Sequence, residues 1–102
     1  MSKITFVNIF TVQPGRQEDA FQRIHQIYTE VVKYQPGFLD AQLLKSDDGE
    51  KVTAIAHWES AAQIAALRQH PRFQALHDEE FYQAIAKVEP HVYSSAFEVF
   101  PI

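Results

Sequence analysis

At 102 residues, 46% hydrophobic and 13% aromatic, the chain has the composition of one globular domain, able to bury roughly two-thirds of the surface its unfolded form exposes. It has no cysteine, which excludes disulfides and thiolate ligands, and a formal net charge of −4 with nine scattered Lys and Arg argues against nucleic acid as a partner. No apolar run approaches the roughly 20 residues that cross a bilayer, and Met1-Ser2-Lys3-Ile4-Thr5-Phe6 enters a strand without the basic and apolar regions of a leader, so a cytoplasmic protein is expected.

Ile4 to Val12 alternates, with Ile4, Phe6, Asn8, Phe10 and Val12 on one face and Thr5, Val7, Ile9 and Thr11 on the other. Neither face is fully polar, so this strand needs cover on both sides. Gln13-Pro14-Gly15 turns the chain into a helix expected from about Gln17 to Tyr34. Ala20, Phe21, Ile24, Ile27, Tyr28, Val31 and Val32 form its buried stripe, and His25 lies beside them as a boundary residue. Pro36-Gly37 stops it.

Phe38 to Lys45 reads as a second strand, and Asp47-Asp48-Gly49 as a tight hairpin joining it to a third, Val52 to Trp58. Trp58 is the only tryptophan, at a junction where strand gives way to helix within two residues. Ser60 stands three residues before Gln63, the spacing of a capping box. The helix so opened should run from Ala61 to about His70, where Pro71 either ends it or starts a new one. Phe73, Leu76, His77, Phe81, Ala84 and Val88 form a further helical stripe, Pro90 closes it, and His91 to Phe100 is expected as the last strand.

The order β-α-β-β-α-β is that of a ferredoxin-like split βαβ fold: α+β, with a four-stranded antiparallel sheet and helices on one face. Its uncovered face would carry Val7 and Ile9, and burying such side chains at roughly 1.5–3 kcal/mol each favours a homodimer joined sheet to sheet.

The five histidines, His25, His57, His70, His77 and His91, show neither the His-x-x-x-His nor the His-Glu-x-x-His spacing of a zinc site. His57 should alternate away from Trp58. Asp78-Glu79-Glu80 reads as a solvated run with helix N-terminal character. There is no nucleophile elbow, P-loop or dinucleotide-binding fingerprint. Asn8 shares a row with Phe6 and Phe10, where an amide must find partners or cost roughly 1–3 kcal/mol. If that row packs under the helices, Asn8 and His77 can converge on one cavity. An imidazole can then take a phenolic proton and an amide hold the oxyanion, with Trp58 as an apolar wall or stacking surface.

Val12-Gln13-Pro14-Gly15 before an amphipathic helix, Pro36-Gly37-Phe38, the Asp48-Gly49 turn, and Trp58-Glu59-Ser60 followed by His70-Pro71-Arg72-Phe73 resemble, in order and spacing, the antibiotic biosynthesis monooxygenase family of dimeric α+β barrels. The resemblance covers nearly the whole chain, residues 1–102 as one such domain. It implies oxidation of an electron-rich aromatic molecule, such as a quinol, an anthrone or a polyketide, by molecular oxygen, often without metal or flavin. Asn8, Trp58 and His77 would be the catalytic residues and Phe21, Leu67 and Phe73 the substrate contacts. A haem-degrading branch uses an Asn, a Trp and a His. Asn8 and His77 match two of these, but Leu67 stands where that branch has its ring-distorting Trp, which sets haem degradation in doubt. The alternative is a non-catalytic protein of the same fold that binds a small molecule or haem.

Overall fold

The computed structural model describes residues 3–102, so the reading of Met1 and Ser2 lies outside it. Strand β1 (Ile4–Val12) is followed by helix α1 (Gln17–Glu30), a 3-10 turn (Val32–Tyr34), strands β2 (Phe38–Lys45) and β3 (Lys51–Trp58), three short helices α2 (Ala61–Arg68), α3 (Pro71–Leu76) and α4 (Glu79–Ala84), and strand β4 (Ile85–Tyr93). The sheet is antiparallel in the order β2-β3-β1-β4, so the ferredoxin-like α+β arrangement is the observed one. Among the described residues no helix is long and apolar enough to cross a membrane.

The sheet is two-sided. Val52, Ala54, Ala56 and Trp58 of β3, with Phe10 and Val12 of β1, are buried with Ala20, Ile24 and Ile27 of α1, Ile64 and Leu67 of α2, and Phe81 and Ala84 of α4. The alternate row places Val7 across from Ile55, and Ile9 across from Thr53, on the opposite face. His57 lies in that second row, away from Trp58, and its Nδ1 pairs with Asp40 at 2.5 Å. Surface ion pairs tie the helices together: Arg23 joins Asp19 to Glu80 of α4, and Arg72 of α3 reaches Glu30. Each contributes little alone in water.

Three local expectations are corrected. The first helix does not continue to Tyr34. It breaks at Val31 (φ −125°, ψ −58°), where two buried β-branched residues precede Pro36, whose ring keeps Gln35 extended. Ser60 makes no capping hydrogen bond among the described residues, and the Gln63 amide that would complete the box lies over Gly37. The last strand is Ile85–Tyr93 and not His91–Phe100. Val88 and Pro90 are inside it, since β4 is an edge strand where a missing N–H is tolerated. Pairing with β1 draws the backbone into strand immediately after Ala84, with a register shift between Thr11 and Val12. Phe97, Val99 and Phe100 lie beyond it, exposed and outside regular structure.

Gly37 carries φ +84°, and a Cβ there would meet the far end of the Gln63 side chain. That end is flexible and can swing aside, so most of the cost of a side chain at this position comes from the left-handed backbone. Gly37→Ala is expected to destabilise by about 1–2 kcal/mol in urea denaturation. Adding Gln63→Ala should recover only a minor part of that loss, and full recovery would assign the cost to the clash.

Candidate active site

The helix-facing row of β1 forms the floor of a cavity of about 400 Å³. Phe6, Asn8 and Phe10 rise from β1, and Pro90 and Val88 stand across from Asn8 and Phe10 on β4. Ile64, Leu67 and Arg68 enter from α2, and Phe73, His77, Phe81 and Tyr82 from the α3–α4 region. A smaller recess of about 40 Å³ shares Phe6, Asn8, Phe10, Leu67, Phe73 and His77, and is closed by Ile24, Ile27, Tyr28, Val32 and Trp58.

His77 is placed by a break between helices. Pro71 opens α3 at its first turn, where Pro costs no hydrogen bond, and His70 Nδ1 accepts from the Arg72 N–H at 3.1 Å. His77 ends α3 (φ −88°, ψ 59°), and Asp78 starts α4 by accepting from the Phe81 N–H at 2.8 Å. The run Asp78-Glu79-Glu80 thus serves as a helix start. His77 is therefore a helix-terminal residue whose ring lies between Phe73 (centroids 4.4 Å apart) and Phe81 (4.7 Å). Its Nδ1 is 2.7 Å from the Phe73 carbonyl. A carbonyl only accepts, so the Nδ1 proton is fixed by that bond, and in the neutral ring Nε2 keeps its lone pair.

Asn8 is the polar side chain of the floor. It makes no side-chain hydrogen bond among the described residues, and its Oδ1 is buried. Such an orphaned acceptor costs roughly 1–3 kcal/mol, which a ligand hydroxyl donating to Oδ1 would offset, while the N–H₂ of the same amide is the side able to donate to an oxyanion. Trp58 is 1% exposed, meets Phe38 edge to face at 5.3 Å, and leaves its Nε1 buried without a partner among the described residues. It lines only the recess. Leu67 and Phe73 line both spaces, whereas Phe21 lines neither. Phe21 lies further along α1, stacked on His25 with Lys45 above its ring. Arg68, Tyr82, Val88 and Pro90 also line the cavity, and none of them is among the site residues expected from the sequence.

Burial of Tyr28 beside the recess pushes its hydroxyl up to about 12. An unfolded chain gives up that proton near 10, so the contribution to stability is complete below pH 10 and is lost as pH rises toward 12, by roughly 2–3 kcal/mol. Urea midpoints followed from neutral to alkaline pH should fall more steeply in the wild type than in Tyr28→Phe; parallel curves would contradict this.

Among the described residues, no three His, Cys, Asp or Glu side chains converge as a metal set would require. His77 Nε2 could ligate a haem iron, but the buried aliphatic Leu67 supplies no ring to distort a porphyrin, so the residues present do not fit haem degradation.

The fold and cavity define a ferredoxin-like α+β protein with an aromatic-lined pocket between its sheet and helices. The family model for antibiotic biosynthesis monooxygenase matches residues 3–79. Tetracenomycin-F1 monooxygenase of Streptomyces glaucescens is 31% identical over 86 residues, which span 84% of this chain and 75% of that relative. SnoaB, a cofactor-independent oxygenase from Streptomyces nogalater, superposes with a TM-score of 0.72 at 25% identity over 100% of both chains. PA3566 from Pseudomonas aeruginosa shares the fold with a TM-score of 0.81 at 14% identity, over 95% of this chain and 97% of that one. The chain belongs to the antibiotic biosynthesis monooxygenase family.

Proposed function

We propose that this protein is a cofactor-independent monooxygenase, acting as one domain in the cytoplasm, that oxidises an electron-rich polycyclic phenol or anthrone with molecular oxygen. The observation that carries the reading is the pair Asn8 and His77: an amide without a partner among the described residues and an imidazole whose Nε2 keeps its lone pair, both lining an otherwise largely apolar cavity of about 400 Å³. That volume suits a planar aromatic ligand. The names of the two relatives from Streptomyces support the same class.

In this reading the substrate lies against Phe6, Leu67 and Phe73, with its oxygen at Asn8. His77 Nε2 removes the acidic proton and the N–H₂ of the Asn8 amide donates to the oxyanion, which would otherwise be poorly stabilised in so apolar a space. The electron-rich anion reduces oxygen and combines with it at carbon, giving a substrate peroxide. His77 returns that proton to the outer peroxide oxygen, and loss of the remaining C–H proton as the O–O bond breaks forms the C=O and releases the outer oxygen as hydroxide, which that proton turns into water. For an anthrone, the reacting CH₂ becomes C=O, one oxygen atom enters the product and the other leaves as water. The substrate supplies both electrons, so the stoichiometry closes without a reductant. Trp58 forms the wall of the recess beyond the ring. An oxygen electrode should record one oxygen consumed per quinone formed. Ligand binding with no oxygen uptake would leave a non-catalytic binding protein.

We also infer a homodimer through the open face of the sheet, where Val7, Ile9, Ile55 and the 44%-exposed Leu44 form an apolar surface beside the His57–Asp40 pair. Sedimentation at micromolar concentration should give a dimer; a monomer alone would remove this part of the reading.

A further inference from the structure

The chain has four arginines, and three of them are committed. Arg16 and Arg23 bind Asp19, Arg23 also binds Glu80, and Arg72 binds Glu30. Arg68 has no carboxylate partner among the described residues, yet it lines the cavity, with its guanidinium carbon 5.9 Å from the centre of the Phe6 ring. The face of that ring attracts a cation and so keeps the charge against the cavity wall. Asn8, His77 and Tyr82 are the other polar residues around the cavity, and Arg68 is the one always charged. Its backbone carbonyl is already occupied by the Gln74 amide at 3.0 Å, which fixes the end of α2 from which the side chain departs.

We infer that Arg68 is a specificity-determining residue that selects aromatic substrates bearing a carboxylate, held by the guanidinium while the phenol or anthrone oxygen lies at Asn8. This rests on the oxygenase reading of the same cavity and adds a second, charged point of attachment. A planar guanidinium presents paired N–H donors in the geometry a carboxylate accepts. With Asn8 on the floor and Arg68 on the wall, a rigid planar molecule carrying both groups has one preferred way to lie. The attachment therefore sets which ring carbon faces His77. Arg68 does not touch the reacting atoms in this arrangement and acts by positioning.

Binding can be measured without turnover, using oxidised ligands that oxygen does not attack. Trp58, the only tryptophan, lines the recess and reports occupancy through quenching of its fluorescence. Anthraquinone-2-carboxylate should bind about tenfold tighter than 2-(hydroxymethyl)anthraquinone, and raising the ionic strength should erode the difference. Arg68→Gln should abolish the preference with little change for the neutral ligand, and Arg68→Lys should restore part of it. Equal affinity of the two ligands in the wild type, or a preference that survives in Arg68→Gln, overturns the role of Arg68 and leaves the oxygenase reading standing. Failure of both ligands to bind overturns the two together.

Discussion

Replacing His77 with glutamine should lower the rate of oxygen consumption by about 100- to 10,000-fold, the range over which a positioned general base acts, while the circular dichroism spectrum stays that of the wild type. The imidazole is held by one hydrogen bond at 2.7 Å, from Nδ1 to the Phe73 carbonyl, and is flanked by the Phe73 and Phe81 rings. Glutamine fits roughly the same space and can donate to that carbonyl, but it has no lone pair able to take a proton at neutral pH. The loss should fall on kcat more than on KM, since the base acts in the transition state and contributes little to ground-state binding. Full retention of activity would remove His77 from the chemistry.

Trp58→Ala should cost about 3–5 kcal/mol of stability, because an indole that is 1% exposed leaves a void that the surrounding β3, β2 and α1 side chains cannot close. For a chain of this size that lowers the thermal midpoint by roughly 12 °C or more, a large share of a typical total stability of about 5–15 kcal/mol. Trp58→Phe is the informative companion. Trp58 Nε1 has no partner among the described residues, so the exchange breaks no hydrogen bond seen there and removes only part of the ring. It should cost less than half as much and keep most of the activity, as expected of a wall and not of a reacting group. A scanning calorimetry trace showing an unchanged midpoint for Trp58→Ala would contradict the burial argument.

Strand β1 was legible in the sequence because it alternates and Pro14-Gly15 follows it, and β2 because Pro36-Gly37 precedes it and the Asp47-Asp48-Gly49 turn follows it. The Asp48-Gly49 turn was equally clear: Gly49 takes φ +77°, and Asp48 Oδ1 accepts from the Ser46 hydroxyl at 2.6 Å and from the Glu50 N–H at 2.9 Å. The second half of the chain was harder to read. Phe81, Ala84 and Val88 fit a helical stripe, whereas Val88, Pro90 and Val92 fit an alternating row, and only pairing with β1 decides between them. Pro90 is a breaker within most elements but not at a sheet edge, and edge position is a property of the assembled sheet. The Ser60–Gln63 spacing matches a capping box, yet the Gln63 amide lies over Gly37 and the box does not form.

The candidate site divides along the same line. Asn8 stood out because an amide in a row of phenylalanines is costly unless it meets a partner, and His77 because it interrupts an apolar helical face. Arg68 could have been found from its place one residue after Leu67 and four after Ile64, but nothing in sequence distinguishes an uncommitted arginine from the three that are paired. Val88 and Pro90 reach the cavity through cross-strand register, which no local pattern encodes. Phe21 belongs to the expected stripe and packs partly buried against the core, but the sequence did not show that its neighbours Ile24, Ile27 and Tyr28 would border the recess while Phe21 would not.

The most direct measurement is the absorbance of an anthrone bound without oxygen. In anaerobic mixing at a pH where the free anthrone is not ionised, the wild-type protein should develop the long-wavelength band of the anthrone's conjugate base, and admission of oxygen should discharge that band into quinone. His77→Gln should bind the anthrone and leave it neutral. An equal anion band in both proteins, or an anthrone that stays neutral in the wild type while oxygen is still consumed, would contradict proton removal by His77 beside Asn8.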